Sequence, residues 1–291
     1  NQLAVANRAC REENAAADLG KAQLNAEYDE HIESKGRNAE LQSELDQVTV
    51  QLAQERESRR AEREALLTKI NAAIADKWWD PTGDFKPLHV INPLRANYIN
   101  NKSALKGLKV LDVGCGGGLL AEALNAKGAQ VTAIDVTEAN IGVAELHAQK
   151  MEVNIDYRLI TAEELVEKER ESFDVVACLE VIEHVPDPGQ LIRACSNLLK
   201  PNGQMFLSTL NRNARSFITA IVGAEYIFNV LPKGTHEWSK FIKPSELEKY
   251  MRNADIKLIE SKGMFYNPIF HTANLNNDLG VNYMMHGSKN A

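Results

Sequence analysis

A chain of 291 residues, 25% of them charged, is long enough to bury one or two cores, and its net charge of −7 argues against a general nucleic-acid binder. Four cysteines, Cys10, Cys115, Cys178 and Cys195, lack C-x-x-C spacing and lie in or beside apolar runs. This pattern excludes a zinc site or disulfide frame and indicates reduced thiols; no apolar run is long and charge-free enough to span a bilayer.

Residues 1–62 are rich in Ala, Glu, Gln, Arg and Asn, contain no proline, and have only Gly20 and Gly36 as breakers. They read as a helical arm. Leu41, Leu45, Val48 and Leu52 alternate spacings of four and three, the seam of a coiled coil, but Glu55, Arg59 and Glu62 interrupt it before Leu66. Two readings follow: a coiled-coil arm that makes a homodimer, or a solvated helix tethered to a domain spanning 63–291.

After a helix leading to Lys77, the segment from Trp78 to His89 carries two adjacent tryptophans, two prolines and a glycine, and reads as a loop. Adjacent tryptophans cannot share one face of an element, so at least one covers a surface or a pocket. Arg95 has two readings, a bidentate grip on the carboxylate of an amino-acid-bearing cofactor or a surface ion pair.

Val110-Leu111-Asp112-Val113-Gly114-Cys115-Gly116-Gly117-Gly118 is a buried strand running into a glycine loop, and Leu119–Leu124 continues as a helix whose first amides are unpaired. A dinucleotide fingerprint would need a third glycine at Leu119, which is missing. Asp112 precedes the glycines, where it suits a ligand carrying sulfonium and ammonium charge. Asp135 ends the next strand, where an acid accepts from both hydroxyls of an unphosphorylated ribose. Together with Gly114 and Gly116 these acids favour S-adenosylmethionine over NAD. Cys115, with no basic neighbour, reads as a small filler.

Residues 107–199 alternate strand and helix, with strands near 109–113, 131–135, 155–160 and 173–178, implying a parallel sheet with ligands at its carboxyl edge. Glu163 and Glu164 follow the third strand at the height of an adenine edge, where one could accept from the exocyclic amine, but they also open a helix, which its dipole favours, and that reading ranks first. The fourth strand delivers Leu179-Glu180-Val181-Ile182-Glu183-His184 to that edge. Three roles stand side by side there: His184, with Glu183, taking the proton of a phenol; Glu180, Glu183 and His184 holding Mg²⁺; or local packing with solvated acids. Lys200–Gly203 reads as a turn, Gln204–Leu210 as a further strand, and 216–232 as an apolar segment flanked by Arg212, Arg215 and Lys233. That segment suits either an interfacial helix or a buried one.

The motifs WWDPTGDFKPLHVINPLR, KVLDVGCGGGLLAE, CLEVIEHVPDP, FLSTLNRN, VGAEYI, PKGTHEWSKFIKP, YNP and VNYMMH, in this order from about Glu64 to His286, resemble the ubiquinone-biosynthesis O-methyltransferase family. The resemblance implies an α/β, class I S-adenosylmethionine-dependent methyltransferase: a Rossmann-like, doubly wound sheet of seven strands, six parallel and one antiparallel near the end. It implies cofactor contacts at Arg95, Gly114, Asp135 and, through its backbone, Leu179. It further implies methylation of two hydroxyls on a polyprenylated, catechol-like ring. In mitochondrial relatives a metal site maps onto Glu180, Glu183 and His184. An insertion aligning with 210–233 implies association with an anionic membrane surface, on the cytoplasmic face of the inner membrane or the matrix side in a eukaryote, beside other ubiquinone-biosynthesis proteins. The family says nothing about the arm. Rival readings are methylation of another small phenol, a coil-bearing scaffold with an inactive domain and, more distantly, a nicotinamide oxidoreductase.

Overall fold

The protein is described from a computed structural model over residues 2–30, 38–216 and 238–291. The chain divides into two compact units, Asn1–Ala73 and Ile74–Ala291. The division falls inside one helix, eleven residues beyond the sequence-based boundary at 62 (73 − 62).

The first unit is built on α1 (Gln2–Glu30) and α2 (Asn38–Trp78), which have no proline to break them. Arg56, Arg59 and Arg63 of α2 reach Asp18, Glu13 and Asn7 of α1, so the two helices run antiparallel. The interruption of the apolar seam thus has a local reason. Arg59, one of the residues that break the Leu41–Leu52 repeat, pairs with Glu13 of α1, and Arg63 beside the break bonds Asn7 of α1, in the same chain.

Among the described residues the second unit holds an eight-stranded sheet in the order β3-β2-β1-β4-β5-β8-β6-β7. Its strands are β1 (Lys109–Val113), β2 (Gln130–Asp135), β3 (Asp156–Leu159), β4 (Phe173–Leu179), β5 (Leu199–Leu210), β6 (Ile256–Asn267), β7 (Thr272–Asn276) and β8 (Asn282–Lys289). The first five pair in parallel; β8 lies antiparallel between β5 and β6, and β7 is an antiparallel edge strand on β6. The expected seven strands are therefore eight, the addition being Thr272–Asn276. The Lys200–Gly203 turn is present as a bulge: Phe173 pairs with Leu199, yet Val175 pairs with Gln204, and Asn202 takes a φ of +63°.

Alternation along the strands divides the core between two faces. Val110, Val175, Ala177 and Phe206 pack with α3 (Lys86–Ser103), α4 (Leu119–Asn125) and α5 (Glu138–Lys150). Leu111, Val176, Cys178 and Leu207 pack with α6 (Ala162–Val166), α7 (Pro188–Leu198) and α9 (Pro244–Asn253). A single helical turn, α8 (Ala214–Ser216), follows β5. Cys115, Cys178 and Cys195 are free and buried. Among the described residues no helix is long and apolar enough to cross a membrane.

Candidate active site

The site lies at the carboxyl edge of β1, β2, β4 and β5. Strand β1 ends in the glycine loop because Gly114 takes a φ of +73°, a conformation that L side chains rarely adopt. A Cβ at Gly114 would also lie 2.3 Å from Cγ2 of Val181, in the loop after β4. The glycine therefore lets the two loops touch. Asp112 is 2% exposed and its Oδ2 has no partner. Burial, then the nearby Asp135, pushes its carboxyl up to about 7, against the pull of an Ala121 N–H and of Arg95.

At the end of β2, Asp135 binds the loop itself. Its Oδ2 accepts from Gly116 N (3.0 Å), and its Oδ1 accepts from Thr137 N (2.8 Å) and Asn140 Nδ2 (3.2 Å). Both tryptophans of the 78–89 segment lie on the glycine loop. Trp79 Nε1 donates to Gly117 O (3.1 Å) and its ring stacks on His147, centroids 3.4 Å apart, while His147 Nδ1 lies 2.7 Å from Glu122. Trp78 covers the loop so closely that a Cβ at Gly117 would lie 2.5 Å from its Nε1, a buried nitrogen without a partner. The loop is held from both sides.

After Leu179, the last residue of β4, the chain turns at Glu180 with a φ of +59°. This turn sends the Glu180 side chain toward α3. Its Oε1 accepts from Arg95 Nη2 (2.7 Å), Ser208 Oγ (2.8 Å) and Asn282 Nδ2 (3.1 Å). Arg95 is thus a buried ion-pair partner of Glu180, with its Nε left unpartnered. Glu183 points into the protein, 3% exposed, and accepts from Thr209 Oγ1 (3.0 Å). Burial, then Glu180, raises its carboxyl well above the usual range. The His184 side chain is 55% exposed, with Nε2 4.0 Å from Glu183 Oε1.

Glu180, Glu183 and His184 follow one another in sequence, but the chain does not converge them. Glu180 is turned toward a guanidinium and two further donors, Glu183 is turned into the core, and His184 is turned outward. Among the described residues no three His, Cys, Asp or Glu side chains stand close enough to share a metal ion. Arg95, Asp112, Gly114, Gly116, Asp135, Leu179, Glu183 and His184 do gather along one edge. Glu164 is occupied elsewhere, in a capping box with Thr161 at the start of α6. The sequence reading missed Ser208, Thr209, Asn282 and the Trp79–His147 stack. Ser208 and Thr209 stood within FLSTLNRN, but neutral hydroxyls carry no signal of a partner some thirty residues away.

A methyltransferase-domain family model matches residues 42–261. The ubiquinone biosynthesis O-methyltransferase of Marinobacter nauticus is 56% identical over 216 residues, 74% of this chain and 91% of that relative. Those of Hahella chejuensis and Pseudomonas putida are each 54% identical, covering 74% and 73% of this chain and 91% and 92% of the relatives. This chain belongs to the ubiquinone biosynthesis O-methyltransferase family. At the level of fold, a magnesium protoporphyrin IX methyltransferase from Synechocystis, solved with bound S-adenosylhomocysteine, has a TM-score of 0.54 at 17% identity, covering 78% of this chain and 98% of its own. An S-adenosylmethionine-dependent methyltransferase from Methanosarcina mazei has a TM-score of 0.51 at 19% identity, covering 66% and 97%. The class I methyltransferase fold is therefore shared well beyond the family.

Proposed function

We propose that this protein transfers a methyl group from S-adenosylmethionine to a phenolic hydroxyl of a polyprenylated, catechol-like precursor of ubiquinone. The observation that carries this reading is the shared rim of Asp112, Gly114, Asp135 and Glu180–His184 in a chain 56% identical to a named O-methyltransferase of that pathway. The rim suits the cofactor chemically. Asp112 has a buried carboxylate oxygen without a partner, a match for a cationic group, and Asp135 keeps acceptor capacity for ribose hydroxyls beside the Gly116 amide.

S-adenosylmethionine supplies an electrophilic methyl group on a sulfonium. The chain's residues bind and orient it and remove the phenol's proton, since a phenol titrating near ~10 is a poor nucleophile while protonated. His184, the exposed member of the pair, accepts that proton from the hydroxyl as the oxygen attacks. Glu183, 4.0 Å behind it, is the carboxyl placed to respond to the new charge. No step is routed through Mg²⁺; Oε1 of Glu180 already accepts from Arg95, Ser208 and Asn282.

Three finer elements belong to the same proposal. The enzyme works at a membrane surface because a polyprenyl tail keeps its acceptor there. The 210–233 insertion expected to make that contact lies mostly outside the described residues, which stop at 216 and resume at 238. Dimerisation through the arm would use whatever part of the seam α1 leaves free, and removal of residues 1–60 would then give a monomer by light scattering.

The test is transfer of a labelled methyl group to a short-chain prenylated catechol and to the same ring without its tail, each with and without chelator. The reading expects product, more of it with the tail, and unchanged turnover in chelator. Absence of product in both acceptors, with the cofactor bound, would reject it; loss of turnover in chelator, restored by Mg²⁺, would reject the metal-free proton transfer.

A further inference from the structure

Three side chains from outside the glycine loop bond its backbone in succession. Asp135 Oδ2 accepts from Gly116 N (3.0 Å), Trp79 Nε1 donates to Gly117 O (3.1 Å), and Asn92 Nδ2 donates to Leu119 O (2.7 Å), where α4 begins. Asp135 also serves the cofactor's ribose in the proposed reaction, but Trp79 and Asn92 come from the segment before Arg95, to which that reaction gives no task. The loop needs an outside hold. Gly116, Gly117 and Gly118 carry no side chain to pin them, and a run of glycines has the most conformational freedom to lose when a ligand orders it.

Trp79 is itself held by a second pair of side chains. Its ring lies against the His147 imidazole, 3.4 Å between centroids and 2° between planes, and His147 Nδ1 is bonded to Glu122 Oε1 at 2.7 Å. Both partners are mostly buried, the His147 side chain 16% exposed and that of Glu122 12%. A stack made only for packing would be served by an apolar ring. Here the bond to Glu122 fixes the rotation of the imidazole, and with it the face on which the indole rests. Glu122 stands in the first turn of α4, and its own N–H donates to Gly118 O (3.0 Å). The contacts therefore close a circuit, from Gly117 O through Trp79, His147 and Glu122 back to Gly118, the next residue of the loop.

We propose that His147 and Glu122 are positioning residues for the cofactor: by orienting Trp79 they hold Gly117 in the conformation that S-adenosylmethionine binds, so that cofactor affinity depends on them through the loop backbone. This rests on the reading of the glycine loop as the cofactor site and deepens it. A loop ordered before the ligand arrives loses less entropy on binding, so the brace is read in affinity.

The experiment is calorimetric binding of S-adenosylhomocysteine, alongside urea unfolding, by the full chain and by Trp79→Phe, His147→Ala, Glu122→Ala and Glu122→Gln. Trp79→Phe keeps an aromatic ring and removes the N–H that reaches Gly117. It should weaken binding roughly threefold to tenfold, the effect of one lost hydrogen bond. His147→Ala and Glu122→Ala should weaken it to a similar degree, whereas Glu122→Gln, which still bonds Nδ1, should bind within about twofold of wild type. Added to Trp79→Phe, His147→Ala should weaken binding no further although its cost in unfolding remains; a merely structural role would leave both effects in place. Wild-type affinity in Trp79→Phe or in His147→Ala would overturn the proposal. So would losses in affinity that add in the double variant, equal losses in Glu122→Gln and Glu122→Ala, or no binding of S-adenosylhomocysteine by wild type. Affinities as expected, with no methyl transfer to any phenol, would uphold the brace and overturn the functional reading instead.

Discussion

Replacing Gly114 with alanine tests whether the glycine loop and the loop after β4 are packed as one piece. Two costs follow from the structure. A non-glycine residue held at a φ of +73° pays about 1–2 kcal/mol. The new methyl would lie 2.3 Å from Val181 Cγ2, and forcing such a contact costs about 1–3 kcal/mol as the loop shifts. The sum is about 2–5 kcal/mol against the folded state. Adding Val181→Ala to Gly114→Ala removes the second cost and leaves the first, so the double variant should recover about 1–3 kcal/mol relative to simple addition. Urea unfolding followed by tryptophan fluorescence is the assay, because Trp78, Trp79 and Trp238 all lie in the Ile74–Ala291 unit and report on it alone. Cofactor affinity should fall in the single variant, since the displaced loop carries Leu179 to His184. A single variant within about 0.5 kcal/mol of wild type, or strict additivity in the double variant, would refute the packing argument.

Arg95→Met should destabilise the protein by about 1.5–3 kcal/mol in the same assay, the cost of removing a charged partner from a mostly buried Glu180, and a loss below about 0.5 kcal/mol would count against it. The pH dependence of stability has a definite sign. Asp112 in the folded chain titrates up at about 7, against an unfolded value of about 3.9, so its contribution is fully present below the unfolded value and is lost as pH rises toward 7. Glu183, also raised, acts in the same direction. The melting temperature of the cofactor-free protein should therefore decline from pH 5 to pH 8, and less steeply in Asp112→Asn; identical slopes would show that Asp112 ionises freely.

The parts of this structure legible in the sequence are those written in local pattern. Strand β1 was read at its observed bounds, and β2, β3 and β4 to within a residue or so at each end, because a short aliphatic run between turn residues has few other folds open to it. The acids Asp112 and Asp135 were legible because one lies next to last in such a strand, before the glycines, and the other ends one. What escaped depends on residues distant in sequence. Arg95 and Glu180 are 85 residues apart, and Asn282 reaches the same carboxylate from 102 residues away, only because β8 is inserted between β5 and β6. The edge strand Thr272–Asn276 is mostly small and polar, without the alternation that marks a half-buried strand. Spacing left Glu180, Glu183 and His184 open to a proton-transfer, a metal or a packing role, and the left-handed turn at Glu180, which no spacing reveals, sets the directions of their side chains.

The most direct test of the central claim is to supply S-adenosylmethionine bearing a deuterated methyl group together with a short-chain prenylated catechol, and to locate the label by mass spectrometry. The account predicts one deuterated methyl as an aryl ether on the ring oxygen, with S-adenosylhomocysteine formed in equal amount. Label on a ring carbon, or S-adenosylhomocysteine formed without a methylated ring, would contradict it.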